Sequence, residues 1–340
     1  MSARKVQVVQ KILDDVYGPY TGPGWRPAAF SGRSRRYLWS DAFGVCNYIS
    51  MHYAAGSKDQ QYLDQADAVI DDVHETLGCY RGKDKKRLGA ATDEHPLLGG
   101  LRIGKEDPDD DGQYFHYLTK WMFALNRMKI ARDDDKYNRW AIELAESVHS
   151  KFVRVEGGRP RMFWKLSVDL SCPMTWSEGN LDPFDGYVTY RLLLEQSRNA
   201  MALQQEISEM KAMVARKYMV YSSSDELDLG EALWLCSWFP DDNWAQVVAH
   251  KSIACIDELY AEGRLARSQA TRLMFREMGL TMGMRCAINL NAHDKWRARV
   301  DQLHDFWEDK LYTRDRDISP LMYASSVLPI VFEPNRGYFL

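Results

Sequence analysis

The feature that most constrains this chain is an alternation of two kinds of helical stretch along its 340 residues. The first kind is amphipathic. "DKYNRWAIELAESVHSKFV" puts Tyr137, Trp140, Ala141, Leu144, Ala145, Val148 and Phe152 on one face, with Arg139, Glu143, Glu146 and Lys151 opposite. "YLDQADAVIDDVHETLG" repeats the pattern through Leu63, Ala66, Ile70, Val73 and Leu77, and "DKWRARVDQLHDFWEDKLY" through Trp296, Val300, Leu303, Trp307 and Leu311. Such helices have one dry and one wet face. The second kind is apolar or aromatic nearly all round: "LWSDAFGVCNYISMHYAA", "DGQYFHYLTKWMFAL", "DPFDGYVTYRLLL", "ELDLGEALWLCSW", "REMGLTMGMRCAINL" and "SPLMYASSVLPIVF". A helix like that must be buried on most sides. Gly44, Gly230 and Gly279 would let these helices approach closely, at about 1 kcal/mol each in helix propensity.

The kinds alternate six times, and no convincing strand series interrupts them. The order predicts an all-α fold, an (α/α)6 barrel of six helical hairpins with buried helices inside and amphipathic ones outside. No linker or composition break divides the series, so a single domain is expected over residues 1–340. Connections leaving the buried helices are short: "GSKD" at 56–59, "RDDD" at 132–135, "PDDN" at 240–243 and "NAHD" at 291–294. Those leading into the buried helices are long, notably 18–38, 79–110 and 154–183. Long loops inside a compact domain are usually functional or disordered. A pocket is therefore expected at the N-terminal ends of the inner helices, where free N–H groups and positive dipole ends also lie.

This layout resembles the (α/α)6 toroid of the six-hairpin glycosidases and their relatives, which include unsaturated glucuronyl hydrolases and acylglucosamine 2-epimerases. The resemblance spans nearly the whole chain and is architectural. It implies a carbohydrate-active enzyme, and no catalytic motif of any one family carries over.

Composition narrows the partners. A net charge of −4 lacks the basic stripe of a nucleic-acid binder. No apolar run reaches bilayer length, and "MSARKVQVVQKILDDVYG" reads as an amphipathic helix, not a signal peptide. Six cysteines without CxxC or Cys/His spacing suit buried, reduced thiols in a cytoplasmic protein, with no structural zinc. No nicotinamide or nucleotide cofactor, GxSxG elbow or HExxH pair has support. A core can use some of the eleven Trp and eighteen Tyr, and so can a pocket that stacks on flat or ring-shaped ligands. The expected partner is a small-molecule substrate, most simply a sugar.

The densest acidic stretch is "RIGKEDPDDDGQYFHYLTKW", with Glu106, Asp107, Asp109, Asp110 and Asp111 around Pro108. "GGLRIGK" fits a P-loop expression, but Glu106 stands where Ser or Thr would hold magnesium. "DPDDDG" opens like a calcium loop, but its twelfth position is Leu118. "DPDD" also matches the DxDD acid of terpenoid cyclases. The plain alternative is an N-terminal cap from Asp109 or Asp111. Acids recur where other buried helices begin: Asp41, Asp182 and Asp185, Asp225 and Glu226, and Glu277. Capping alone would use Ser, Thr and Asn as readily.

Glycoside hydrolysis needs two carboxyl groups, so Asp111 and Asp41 form the first candidate pair, with Asp185 in reserve. Candidate substrate contacts are Trp39, His95, Arg102, Gln113, Tyr114, Tyr117, Trp176, Asp182, Glu226, Arg276 and Glu277. Arg102 and Arg276 would bind a ligand carboxylate or phosphate, or neutralise the neighbouring acids. His116 would serve a sugar epimerase as base, or be a satisfied core histidine. Hydrolysis leads these expectations, with epimerisation, cyclisation and a non-catalytic binding toroid as alternatives.

Overall fold

The computed structural model describes residues 3–30, 36–57, 59–288 and 294–334. Parts of the loops expected at 18–38, 56–59 and 291–294 lie outside the described residues. Twelve α-helices are described: α1 Ala3–Tyr17, α2 Leu38–Ala54, α3 Gln61–Leu77, α4 Phe115–Arg132, α5 Asp135–Phe152 and α6 Asp182–Glu195. They continue as α7 Gln204–Lys217, α8 Glu226–Trp238, α9 Asn243–Ala261, α10 Met274–Ile288, α11 Asp294–Trp307 and α12 Ser319–Val327. The even-numbered helices are the apolar stretches and the odd-numbered ones the amphipathic stretches. Four short strands, which the periodicity did not anticipate, belong to the long loops: β1 Gln113–Tyr114, β2 Val153–Glu156, β3 Arg159–Met162 and β4 Lys165–Leu166. They are antiparallel pairs, β1 with β4 (Tyr114 opposite Lys165) and β2 with β3.

The helices cluster into two compact units, Leu13–Met213 and Met1–Ile12 with Val214–Leu340. In the first, α2, α4 and α6 pack side by side, with α3 against α2 and α5 against α4. In the second, α8, α10 and α12 do the same, with α9 against α8 and α11 against α10. Each unit is thus a row of buried helices backed by amphipathic ones. The polarity of the sequence stretches explains the order, since an outer helix has only one apolar face to bury.

Glycine sets the closest approach. A Cβ on Gly230 of α8 would lie 2.2 Å from the Gly279 carbonyl oxygen of α10, and one on Gly283 1.9 Å from that of Gly230. Both obstacles are backbone and cannot rotate aside. A Gly230→Ala protein is therefore expected to lose about 1–3 kcal/mol of stability, outweighing the roughly 1 kcal/mol that alanine gains in helix propensity. Chemical denaturation measures this, and a stabilised variant would show that α8 and α10 are not in contact here. Gly44 does related work on α2, where a Cβ would lie 2.0 Å from the Tyr17 hydroxyl.

Candidate functional site

In the unit Leu13–Met213, the first turns of α2, α4 and α6 meet. Along α4 the side chains from Phe115 to Met128 are buried except at His116 and Tyr117, which are half-buried. These two consecutive positions begin a helix that is otherwise enclosed as far as Met128.

Aromatic rings surround them. The Trp39 ring of α2 stands 5.3 Å from Tyr117 and 6.2 Å from His116, centroid to centroid. Tyr114, the last residue of β1, is 5.4 Å from Tyr117 and 6.1 Å from His116. Trp164, just before β4, is 5.3 Å from Tyr114 and 5.7 Å from His116. The Tyr37 hydroxyl meets that of Tyr117 at 2.5 Å. The β1–β4 pairing brings Trp164 into the cluster, because the Phe115 N–H donates to the Trp164 carbonyl at 2.9 Å. The Trp164 indole N–H donates to Ser177 Oγ at 2.7 Å. The buried Trp39 indole N–H finds no protein acceptor among the described residues. Such a donor costs stability unless water or a ligand accepts from it.

Two polar rungs join α4 to α6. His116 Nδ1 lies 3.2 Å from Asp182 Oδ1, and one turn deeper Lys120 Nζ lies 2.6 Å from Asp185 Oδ1. Residues four apart on α4 face residues three apart on α6, the spacing that puts side chains one above another on a helix. The upper rung reaches the half-exposed histidine and the lower one is buried. The Lys120 ammonium also lies 6.0 Å from the Trp39 ring centroid. Gly179, at φ 71°, leaves room for this arrangement, since a Cβ there would sit 2.0 Å from Asp182 Oδ2.

The three carboxylates first considered for catalysis are all engaged by cations. Asp111 precedes α4 instead of lying on it. Its Oδ2 accepts from Arg81 Nε at 2.9 Å and from an Arg102 terminal nitrogen at 3.1 Å. Its Oδ1 accepts the Gly104 and Gly112 N–H groups at 3.0 and 3.2 Å. It ties the 78–112 loop together. Asp107, Asp109 and Asp110 are exposed on a turn, where the Asp109 N–H bonds to Asp107 Oδ1. No aspartate caps α4, contrary to expectation: Tyr114 holds the N-cap position without a side-chain cap, because β1 occupies residues 113–114 first. Among the described residues no three His, Cys, Asp or Glu side chains gather as a metal site.

Asp41 is fully buried. It accepts from the Tyr37 N–H at 3.0 Å, from the Tyr17 hydroxyl at 3.2 Å and from Arg36 at 3.2 Å. Arg36 also contacts Asp72 at 3.2 Å, so one guanidinium serves two buried carboxylates. Desolvation dominates over the arginine and raises the Asp41 pKa from 3.8 to about 6. The folded state therefore binds a proton more tightly than the unfolded one. By linkage, this group's contribution to stability is greatest below pH 3.8 and is lost as pH rises to about 6. The wild type should lose stability relative to Asp41→Asn across that window. Parallel pH dependences of the two melting temperatures would refute the shift.

Other expected contacts lie elsewhere. Gln113 is buried and holds the Leu101 N–H and the Gly99 and Val168 carbonyls. Arg102 also clasps the Cys79 and Thr76 carbonyls. His95 pairs with Glu143 of α5 at 2.8 Å. Trp176 is 78% exposed and its ring packs on Phe163, not on the cluster. In the second unit, Glu226 pairs with Arg264 at 3.1 Å, Arg276 with Asp225, and Glu277 with Arg272 at 2.6 Å. Glu277 also accepts the Trp307 indole N–H at 2.7 Å. Asp225 does cap its helix, accepting the Leu227 and Asp228 N–H groups.

Of the expected residues, the structure brings together Trp39, Tyr114, Tyr117, Asp182 and Asp185. His116, the expected base of an epimerase, lies among them, and the structure adds Tyr37, Lys120 and Trp164. The spacing of His116 and Lys120 against Asp182 and Asp185 was a usable signal, but nothing in either stretch indicated which faces of α4 and α6 meet.

No protein-family model matches this sequence, and no curated protein matches it. Solved structures do. A sugar epimerase from a ruminal bacterium aligns with a TM-score of 0.65 at 11% identity, covering 97% of this chain and 98% of that one. A D-mannose isomerase aligns with a TM-score of 0.65 at 10% identity, covering 96% and 98%. A family 76 glycoside hydrolase from a bovine Bacteroides thetaiotaomicron strain aligns with a TM-score of 0.63 at 12% identity, covering 97% and 76%. These likenesses show the fold alone, the all-α (α/α)6 fold that the helix alternation predicted.

Proposed function

We propose that this chain is a carbohydrate-active enzyme that moves a carbon-bound proton next to a sugar carbonyl, an isomerase or epimerase with His116 as its base. The observation that carries the reading is the bond between His116 Nδ1 and Asp182 Oδ1 at a half-buried position ringed by Trp39, Tyr114, Tyr117 and Trp164. A carboxylate on Nδ1 holds the proton there and leaves the Nε2 lone pair as the base. Aromatic faces cover the apolar sides of a sugar ring, and the Trp39 indole N–H would meet a hydroxyl. The buried Lys120–Asp185 rung keeps a second cation and carboxylate paired behind the histidine. The sugar epimerase and the D-mannose isomerase that share the fold agree with this chemistry.

Glycoside hydrolysis is the second reading, favoured by Asp182 and Asp185 standing one turn apart in the same cluster. Asp41 and Asp111 are bound to arginines away from the rings, and Asp185 would have to part from Lys120 to act. One experiment separates the readings. Aldoses, ketoses and oligosaccharides are incubated with the protein in D2O and followed by NMR. Deuterium entering the carbon next to the carbonyl supports the isomerase. New reducing ends without deuterium uptake support the hydrolase and overturn it.

A further inference from the structure

We infer that Tyr117, backed by Tyr37, is the acid–base group that handles the oxygen proton while His116 handles the carbon proton. This assignment rests on the isomerase reading and specifies its second catalytic group. Three observations carry it. Tyr117 and His116 are the two half-buried positions on the first three turns of α4, with ring centroids 5.1 Å apart, so both side of one reacting carbon–oxygen unit can be served from one helix turn. The Tyr117 hydroxyl is 2.5 Å from the Tyr37 hydroxyl, with the rings edge to face at 80°. Tyr37 is itself fixed, because its backbone N–H is bonded to buried Asp41 and the residue is 3% exposed. A packing contact alone would be as well made by two phenylalanines; the paired hydroxyls add proton chemistry to it.

The step balances without a co-reactant. His116 Nε2 takes the proton from the carbon beside the carbonyl, and that C–H electron pair becomes the new C=C bond. The carbonyl π pair moves onto oxygen, which takes the Tyr117 phenol proton to give a neutral enediol. Tyr117, now a phenolate, is stabilised by the hydrogen bond that Tyr37 donates. In the second half the phenolate removes the proton of the neighbouring hydroxyl, and His116 returns its proton to the former carbonyl carbon. The result is the isomer, with both side chains restored. Tyr117 is thus a catalytic residue and Tyr37 a positioning one.

The test uses the full-length protein with D-mannose, D-glucose and cellobiose as probes, read by deuterium uptake and by steady-state rates. Tyr117→Phe keeps the ring and its stacking. It is expected to lower kcat by about 10²–10⁴-fold, as for loss of an acid–base group, with KM and melting temperature nearly unchanged. Tyr37→Phe removes the hydroxyl that supports Tyr117 and should cost kcat up to about tenfold. A Tyr117→Phe protein that keeps kcat within about twofold, or that loses KM and kcat together with its melting temperature, overturns the assignment. The two failures are distinguishable. If His116→Asn is inactive while Tyr117→Phe turns over normally, only this assignment falls. If the wild type exchanges no carbon-bound proton of any probe, the isomerase reading falls and takes this one with it.

Discussion

Replacing His116 with asparagine is expected to lower turnover by about 10²–10⁴-fold while leaving the fold intact. The size of the effect follows from chemistry. Asparagine can still hydrogen-bond Asp182, but its amide accepts no proton near neutral pH. The stability cost should be small, because the His116 side chain is about a quarter exposed and its neighbours are mainly aromatic rings. Asp182→Asn is the companion. It keeps the shape but no longer selects the tautomer with its proton on Nδ1, so kcat should fall with little change in KM. Initial rates and deuterium uptake measure both. Activity within threefold of wild type in His116→Asn would move the base elsewhere.

Replacing Arg36 with methionine is expected to destabilise the protein by about 3–5 kcal/mol, the cost of leaving buried charges without their partner. Arg36 and Asp41 side chains have no solvent exposure, and Asp72 has almost none. The guanidinium also donates to the Ala28 carbonyl and lies 4.9 Å from the Phe30 ring centroid. Methionine keeps much of the packing volume, so the loss reports mainly on charge. Denaturant titration measures it, and a cost below about 1 kcal/mol would show that water reaches the two aspartates. Adding Asp41→Asn to Arg36→Met should recover part of the loss, because one stranded charge goes with it. The same network holds the Tyr37 backbone through Asp41, so Arg36→Met should also lower turnover.

How much of this was legible in the sequence depends on the range of the interaction. Helix type follows from side chains three and four residues apart, and so the alternation of wet-faced and buried helices could be read directly. The small residues named for close approach are also where the helices meet, Gly230 against Gly279 being the clearest case. The short strands escaped notice because two-residue pairings such as β1 with β4 have no periodicity to detect.

The site divides in the same way. Acids and rings at the starts of the buried helices are a local pattern, and Trp39, Tyr114, Tyr117, Asp182 and Asp185, which that pattern marks, lie close together in the fold. What each acid does is a matter of its counterion. Asp111 depends on Arg81, thirty residues away, and Asp185 depends on Lys120, sixty-five away on another helix. His116 was the harder case, since a histidine in an apolar helix is usually core. The packing of α4 against α6 distinguishes it from a core histidine by setting Asp182 opposite.

The amino-acid order alone therefore determined which segments are helices, which of them are buried and where the acids and rings cluster, because helix periodicity is a short-range property. Tertiary structure decided which carboxylates are neutralised, which histidine is oriented and which hydroxyls meet. Those outcomes depend on contacts between side chains tens of residues apart, and a few ångströms separate an ion pair from an available base.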